Sequence, residues 1–198
     1  YQPSTSETSI LNGVNLTIHP GRPVLIEGNS GSGKTSLVEV ISGLSSPNSG
    51  TFNWNGQPLK ARQRRLLCGV VFQFPERHFL GLSILNELKL GQKRISTENQ
   101  LKALSQVGLS EIDTRQEPER LSGGQQRRLA IAVQLIRKPN LLILDEPTAG
   151  LDWHSKDEIL SILSELAKQQ LLLIVTHEPK IFNKLNIFGY RLENGRLL

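Results

Sequence analysis

The sequence contains no methionine, not even at its first position, so a longer natural chain with a different N-terminus is the expectation; no signal peptide is visible. A single cysteine, Cys68, excludes an internal disulfide framework and a zinc site of the CxxC type. Long apolar runs are missing too. The longest uninterrupted aliphatic stretch is residues 171–175, far short of the ~20 apolar residues that a membrane-spanning helix needs. There is no internal repeat, no low-complexity segment and no heptad pattern long enough for a coiled coil. What is present is ordinary for a globular protein: 198 residues, 37% hydrophobic and 21% charged, too apolar for disorder. A chain of this length buries roughly 70% of its unfolded surface, so one domain, or one core with a small subdomain, fits. The net charge of +5 and pI near 9.6 suit nucleic acid, an acidic membrane surface or a polyphosphate, and select none of them.

Periodicity along the chain predicts alternating strands and helices. Residues 15–18 and 24–27 read as strands joined by the His19-Pro20-Gly21 turn. A glycine-rich loop over 28–33 leads into a helix from Lys34 to about Ile41, stopped by Gly43. Residues 51–54 form a further strand with an Asn55-Gly56 turn, and 68–73 a short apolar one. Arg62, Arg64 and Arg65 read as a solvated basic face, and Cys68 as a small apolar core residue. From Pro75 to Lys138 the apolar spacing is helical, with a helix start near Ser96 and a helix over 125–137 ended by Pro139. Residues 141–144 and 171–175 are apolar throughout, with a helix over about 154–168 between them. Such runs indicate a parallel sheet covered on both faces. Residues 187–192 and 196–198 flank the Asn194-Gly195 turn as closing strands.

Three motifs carry chemistry. Gly28-Asn29-Ser30-Gly31-Ser32-Gly33-Lys34-Thr35, followed by Ser36, matches G-x-x-x-x-G-K-[ST] between a predicted strand and helix. Its glycines let the backbone wrap an anion with N–H groups, and the helix N-terminus adds partial positive charge. Lys34 reaches β- and γ-phosphates, and Thr35 offers a hydroxyl to Mg²⁺. The second motif ends the apolar strand at Asp145-Glu146. Two acids there are costly unless they serve a metal or a reaction, and ligands gather at that edge of a parallel sheet. Asp145 suits Mg²⁺, and Glu146 suits a general base for the attacking water. By themselves the pair could also be a helix cap and a solvated charge. The third is Leu121-Ser122-Gly123-Gly124-Gln125, which opens a helix with a serine cap and exposed amides.

With these in order, the sequence resembles the ATP-binding-cassette (ABC) family over essentially its whole length. The phosphate loop is similar to Walker A, Leu121–Gln125 to the LSGGQ signature and residues 141–146 to Walker B. Gln73 resembles the Q-loop glutamine, Leu151-Asp152 the D-loop, and His177 the switch histidine. The resemblance implies an α/β P-loop cassette with a mostly parallel sheet, an antiparallel β part and an inserted helical subdomain. Its core would span about 1–74 and 139–198, and the subdomain about 75–138. ATP and Mg²⁺ are the implied ligands, with Gln73 assisting at the metal or the water and His177 at the γ-phosphate. A second cassette, identical or not, is implied as a head-to-tail partner whose ATP meets Ser122, Gly123, Gly124 and Gln125 in trans. Tyr1 stands where the family places an adenine-stacking aromatic, although the strand that usually precedes it is absent.

Phe72-Gln73-Phe74-Pro75-Glu76 and Glu146-Pro147-Thr148-Ala149-Gly150-Leu151-Asp152 resemble the energy-coupling-factor (ECF) branch, importers of vitamins and metal ions with plastid relatives. This implies a transmembrane partner subunit and a peripheral place on the cytoplasmic face of a bacterial membrane, or on a stromal one. Phe79, Leu80 and Leu82 offer the partner an apolar face or serve subdomain packing. The other readings are a soluble ABC ATPase acting on nucleic acid or ribosomes, and an iron–sulfur assembly ATPase. Lys34 and Asp145 are 111 residues apart, which leaves no room for a coiled-coil arm, so a nucleic-acid partner is not expected.

Overall fold

The computed structural model describes residue 1, residues 9–92 and residues 94–198. Six strands form the main sheet: β1 (Val24–Glu27), β4 (Cys68–Val71), β5 (Leu141–Asp145), β6 (Leu171–Thr176), β7 (Phe188–Glu193) and β8 (Arg196–Leu197). Their order is β4-β5-β6-β1-β7-β8. All neighbours run parallel except the β7–β8 hairpin, which turns at Asn194-Gly195 with both residues at positive φ. Such a turn matches the twist of the strands it joins. The strands β2 (Asn53–Trp54) and β3 (Gln57–Pro58) pair separately around Asn55-Gly56.

The helices are α1 (Lys34–Ser42), α2 (Ala61–Leu67), α3 (Ile84–Lys89), α4 (Thr97–Gln106), α5 (Gly123–Ile136) and α6 (Trp153–Ala167). Their ends follow capping chemistry. Gly43 terminates α1 in the left-handed conformation, and Ser96 caps α4 by accepting from the Asn99 N–H. Ser122 and Gln125 close a reciprocal capping box at the start of α5. Between Pro75 and Lys138 the described residues form helices, 3₁₀ turns and loops without a strand.

Two apolar layers enclose the sheet. One joins Leu25, Val71, Leu142, Leu144, Leu172 and Ile174 to α3, α4, α5 and α6. The other joins Val24, Ile26, Ile143, Leu173 and Val175 to α1. Alternate strand residues therefore face opposite layers, which explains why these strands read as unbroken apolar runs. Each fully buried aliphatic side chain contributes about 1.5–3 kcal/mol.

Two local expectations need correction. Residues 15–18 are not strand: the isolated His19–Arg22 bridge lies just beyond them, and Leu16 and Ile18 pack half-buried on the second layer. Arg64 is not solvated, being 6% exposed within α2. Its guanidinium carbon lies 3.7 Å from the centre of the Phe52 ring, so cation–π contact replaces water. Arg62 and Arg65 are exposed as expected.

Candidate active site

The parallel topology delivers the C-terminal ends of β1, β5 and β6 to one edge, and the candidate residues Lys34, Asp145, Glu146 and His177 sit there. β1 runs into the phosphate loop, whose Gly31 and Gly33 take φ of 80° and 99°. A side chain on Gly28 would meet Ser32 Oγ at 2.6 Å and the Leu192 carbonyl at 2.8 Å, so the tight wrap requires glycine there. Lys34 is 7% exposed, and its Nζ donates to the carbonyls of Gly28 (2.7 Å) and Asn29 (3.1 Å). Asn29 and Ser30 are exposed at the mouth, and Ser36 is half-buried in the first turn of α1. The hydroxyl of Ser32 is buried without a partner.

Asp145 ends β5 and Glu146 follows it. The Thr35 hydroxyl donates to Asp145 Oδ2 at 2.9 Å. Burial pushes the Asp145 carboxyl above the ordinary carboxylate range; the Thr35 hydrogen bond opposes the shift. Glu146 is 5% exposed and takes a positive φ of 51°, a region rarely adopted by side chains other than glycine and asparagine. Its Oε2 accepts from the Thr176 hydroxyl (2.9 Å) and the His177 N–H (3.2 Å). Its Oε1 lies 2.8 Å from His177 Nδ1 and 3.8 Å from Lys34 Nζ. Lys34, Asp145, Glu146 and His177 thus converge from β1–α1, β5 and β6. His177 pairs with Glu146 while its side chain stays half-exposed.

Gln73 is exposed two residues past β4, at the same edge, because Val71 pairs with Leu144 in the adjoining strand. Tyr1 is half-buried: its carbonyl accepts from the Ile10 N–H at 2.8 Å, and it packs on the α1 layer. Ser122 and Gly123 are exposed at the α5 N-terminus, where helix amides suit an anion. Gly124 is buried against Ser155, and Gln125 is half-buried in the capping box. Asp152 caps α6, accepting from the Ser155 N–H (3.0 Å) and hydroxyl (2.7 Å). These bonds hold its carboxyl below the usual range.

Sequence reasoning missed two residues. Thr176 secures Glu146 from the neighbouring strand, a contact that no spacing announces. Arg127 is 2% exposed and donates to the carbonyls of Glu146 (2.9 Å) and Ala149 (3.3 Å). Burial lowers its guanidinium pKa, and Glu76, 3.9 Å away, opposes that shift. The only sequence signal was position: Arg127 follows the capped helix start by one turn.

A glycine cradle with an orphaned hydroxyl and a buried lysine suits a polyphosphate. A hydroxyl and a carboxylate brought together are the hard oxygen donors that would suit a divalent cation such as Mg²⁺. Among the described residues no cluster of three or more His, Cys, Asp or Glu side chains could hold a metal alone. This fold and donor set define a P-loop nucleotide hydrolase.

The chain belongs to the ABC transporter family, whose model matches residues 11–149, and it is an ATP-binding cassette of the ATPase class. It is 40% identical over 215 residues to the Arabidopsis thaliana "ABC transporter I family member 11, chloroplastic", covering 100% of this chain and 77% of that one. It is 38% identical over 194 residues to "Energy-coupling factor transporter ATP-binding protein EcfA2" of Spiroplasma kunkelii, covering 89% of this chain and 64% of the relative. The chain therefore spans less than two thirds of that second relative. Among solved structures, cbiO1 from Clostridium perfringens, part of the ABC transporter complex cbiONQ, superposes with a TM-score of 0.86. Its identity is 30%, covering 96% of this chain and 80% of that one. Solved cassettes of this fold at 27% identity and a TM-score of 0.81 are dimeric, one of them holding ADP and phosphate after hydrolysis.

Proposed function

We propose that this chain is the ATP-hydrolysing subunit of an ECF-type membrane importer for a small solute or metal ion. The observation that carries the hydrolytic part is the convergence of Lys34, Asp145, Glu146 and His177 at one sheet edge. In this reading residues 28–36 cradle the phosphates of ATP, and Lys34 leaves the loop carbonyls for the β- and γ-phosphates. Thr35 and Asp145, with Gln73, would hold Mg²⁺, which would supply charge neutralisation to the phosphates. Glu146, fixed by Thr176, accepts a proton from the attacking water as the water oxygen bonds to the γ-phosphorus and the bond to the bridging oxygen breaks. His177 shares the Glu146 carboxylate and turns toward the γ-phosphate once ATP enters. Tyr1 stacks on adenine.

Ser122, Gly123, Gly124 and Gln125 complete the γ-phosphate cage of a second cassette, identical or not, that docks head to tail, with Asp152 at the joint. The dimeric cassettes of this fold support the pairing of two cassettes. Residues 75–138 act as a helical subdomain inserted into a core of residues 1–74 and 139–198. The transmembrane subunit docks on the groove of about 520 Å³ lined by Leu44, Cys68, Phe72, Phe79 and Val133. Leu80 and Leu82 beside it are 80% and 84% exposed. Among the described residues no helix is long and apolar enough to cross a membrane. In this reading the chain sits peripherally, on the cytoplasmic face in a bacterium or the stromal face in a plastid; similarity to an ECF ATP-binding protein and to a chloroplastic ABC protein supports a membrane-associated role.

Glu146→Gln tests the base. Turnover is expected to fall by roughly 100-fold or more, with ATP binding retained and an ATP-dependent dimer trapped on size exclusion. Normal turnover by that variant removes Glu146 from the base role.

A further inference from the structure

Glu146 does not hold its conformation alone. It has turned out of β5 into a left-handed backbone, a state that costs on the order of 1–3 kcal/mol and persists only where neighbours over-determine it. The Glu146 N–H is tied to the Val175 carbonyl at 2.9 Å. The Glu146 carbonyl is the target of Arg127 Nη1, and the Ala149 carbonyl, which ends the same turn, is the target of Nη2. One planar guanidinium thus grips both ends of the turn that aims the Glu146 carboxylate. Arg127 reaches it from α5, the helix opened by Ser122.

The same guanidinium faces a second segment. Glu76 Oε2 lies 3.9 Å from Nη2 and stands three residues after Gln73. Phe74, also left-handed at φ 55°, places its ring against Gly150, just past the gripped turn. The segment after β4 and the turn after β5 therefore share Arg127 and the Phe74–Gly150 contact. A buried arginine with its Nε unpartnered is a poor stabilising choice, because an apolar side chain would fill the space without desolvating a charge.

We infer that Arg127 is a positioning residue for the hydrolytic reaction: its guanidinium holds the left-handed Glu146–Ala149 turn and couples it through Glu76 to the segment carrying Gln73. The inference rests on the reading of Glu146 as the base. A shift of the Gln73 segment would move Glu76, loosen the grip on the turn and swing the Glu146 carboxylate away from the attacking water. ATP contacts made by residues 28–36 would be untouched.

The test compares Arg127→Lys and Glu76→Gln in the full chain, with turnover expressed per ATP-binding site so that misfolded protein is not counted. Lysine keeps the charge and lacks the fork. Arg127→Lys is expected to lower turnover per site by roughly 10- to 100-fold and to leave ATP affinity within about threefold. Glu76→Gln, at a half-exposed carboxylate, should lower turnover in the same direction by less. In the Glu146→Gln background, Arg127→Lys should add no further loss to the single-turnover rate. Unchanged turnover per site in Arg127→Lys overturns the inference, and so does an equal fractional loss with and without Glu146. Normal turnover of Glu146→Gln alone overturns the base reading and this inference together. Loss in Glu146→Gln with full turnover in Arg127→Lys overturns this one only.

Discussion

Cys68 shows how burial sets chemistry at a single residue. It opens β4 at 7% exposure, against α1 and the strand beside it. Burial pushes its thiol up to about 11, with the Arg64 and Arg137 charges opposing. A raised pKa means that the fold favours the neutral thiol. Its stabilising contribution is complete below the ordinary thiol pKa, roughly 8.5, and is lost as pH rises through about 11. Only the thiolate is a nucleophile, so labelling of native protein by a thiol reagent should be slow at pH 8 and accelerate only near pH 11. Fast labelling at pH 8 would show an accessible, ionised Cys68. Arg64, one turn earlier, was misread as solvated because charge alone signals exposure in a sequence; the Phe52 ring that covers it arrives from another segment.

Among elements, the decisive junction is between the starts of α5 and α6. A Cβ on Gly124 would stand 2.8 Å from the Ser155 Cβ, and Ser155 is itself held by the Asp152 cap. Alanine at position 124 would favour the helix by up to about 1 kcal/mol on propensity, yet overpacking costs about 1–3 kcal/mol. The clash should win. Gly124→Ala is expected to lower stability in chemical denaturation, and Ser155→Gly should recover part of the loss in the double variant. An unchanged midpoint in Gly124→Ala would mean that the two helices separate freely. The same contact explains why two glycines follow Ser122: Gly123 leaves amides open to solvent, whereas Gly124 lets α6 approach.

At the scale of the whole molecule, one sheet carries two layers and two outward faces. Its C-terminal edge gathers Lys34, Asp145, Glu146 and His177, the groups proposed for hydrolysis, and the loop before α3 presents Leu80 and Leu82. That loop is not slack. Glu87 is 5% exposed, and its Oε2 accepts from the Leu80 N–H (2.9 Å) and the Gly81 N–H (2.7 Å), which pins the backbone between the two exposed leucines. The double variant Leu80→Ser/Leu82→Ser is expected to keep ATP binding and to lose co-purification with the membrane partner in mild detergent. Full recovery of the partner would place the docking surface elsewhere.

The local signals in the chain sufficed for most elements and for the phosphate-loop motif, because these follow from short-range periodicity, capping and turn chemistry; they failed at residues 15–18, which are not strand, and at α2, where only a basic run was legible. Ser96, Ser122, Gly43 and Asn194-Gly195 each sit where a sequence rule puts them. Alternation of apolar runs with helices also determined a parallel sheet. Tertiary structure alone decided what the site residues touch. Thr35 meets Asp145 across 110 positions, and Thr176 meets Glu146 across 30. The order β5-β6-β1 makes those meetings, and strand order is set by packing whole layers. Arg127 is the sharpest case: the sequence marks it as a charge on a helix, and only the buried, left-handed turn at Glu146 turns that charge into a clamp.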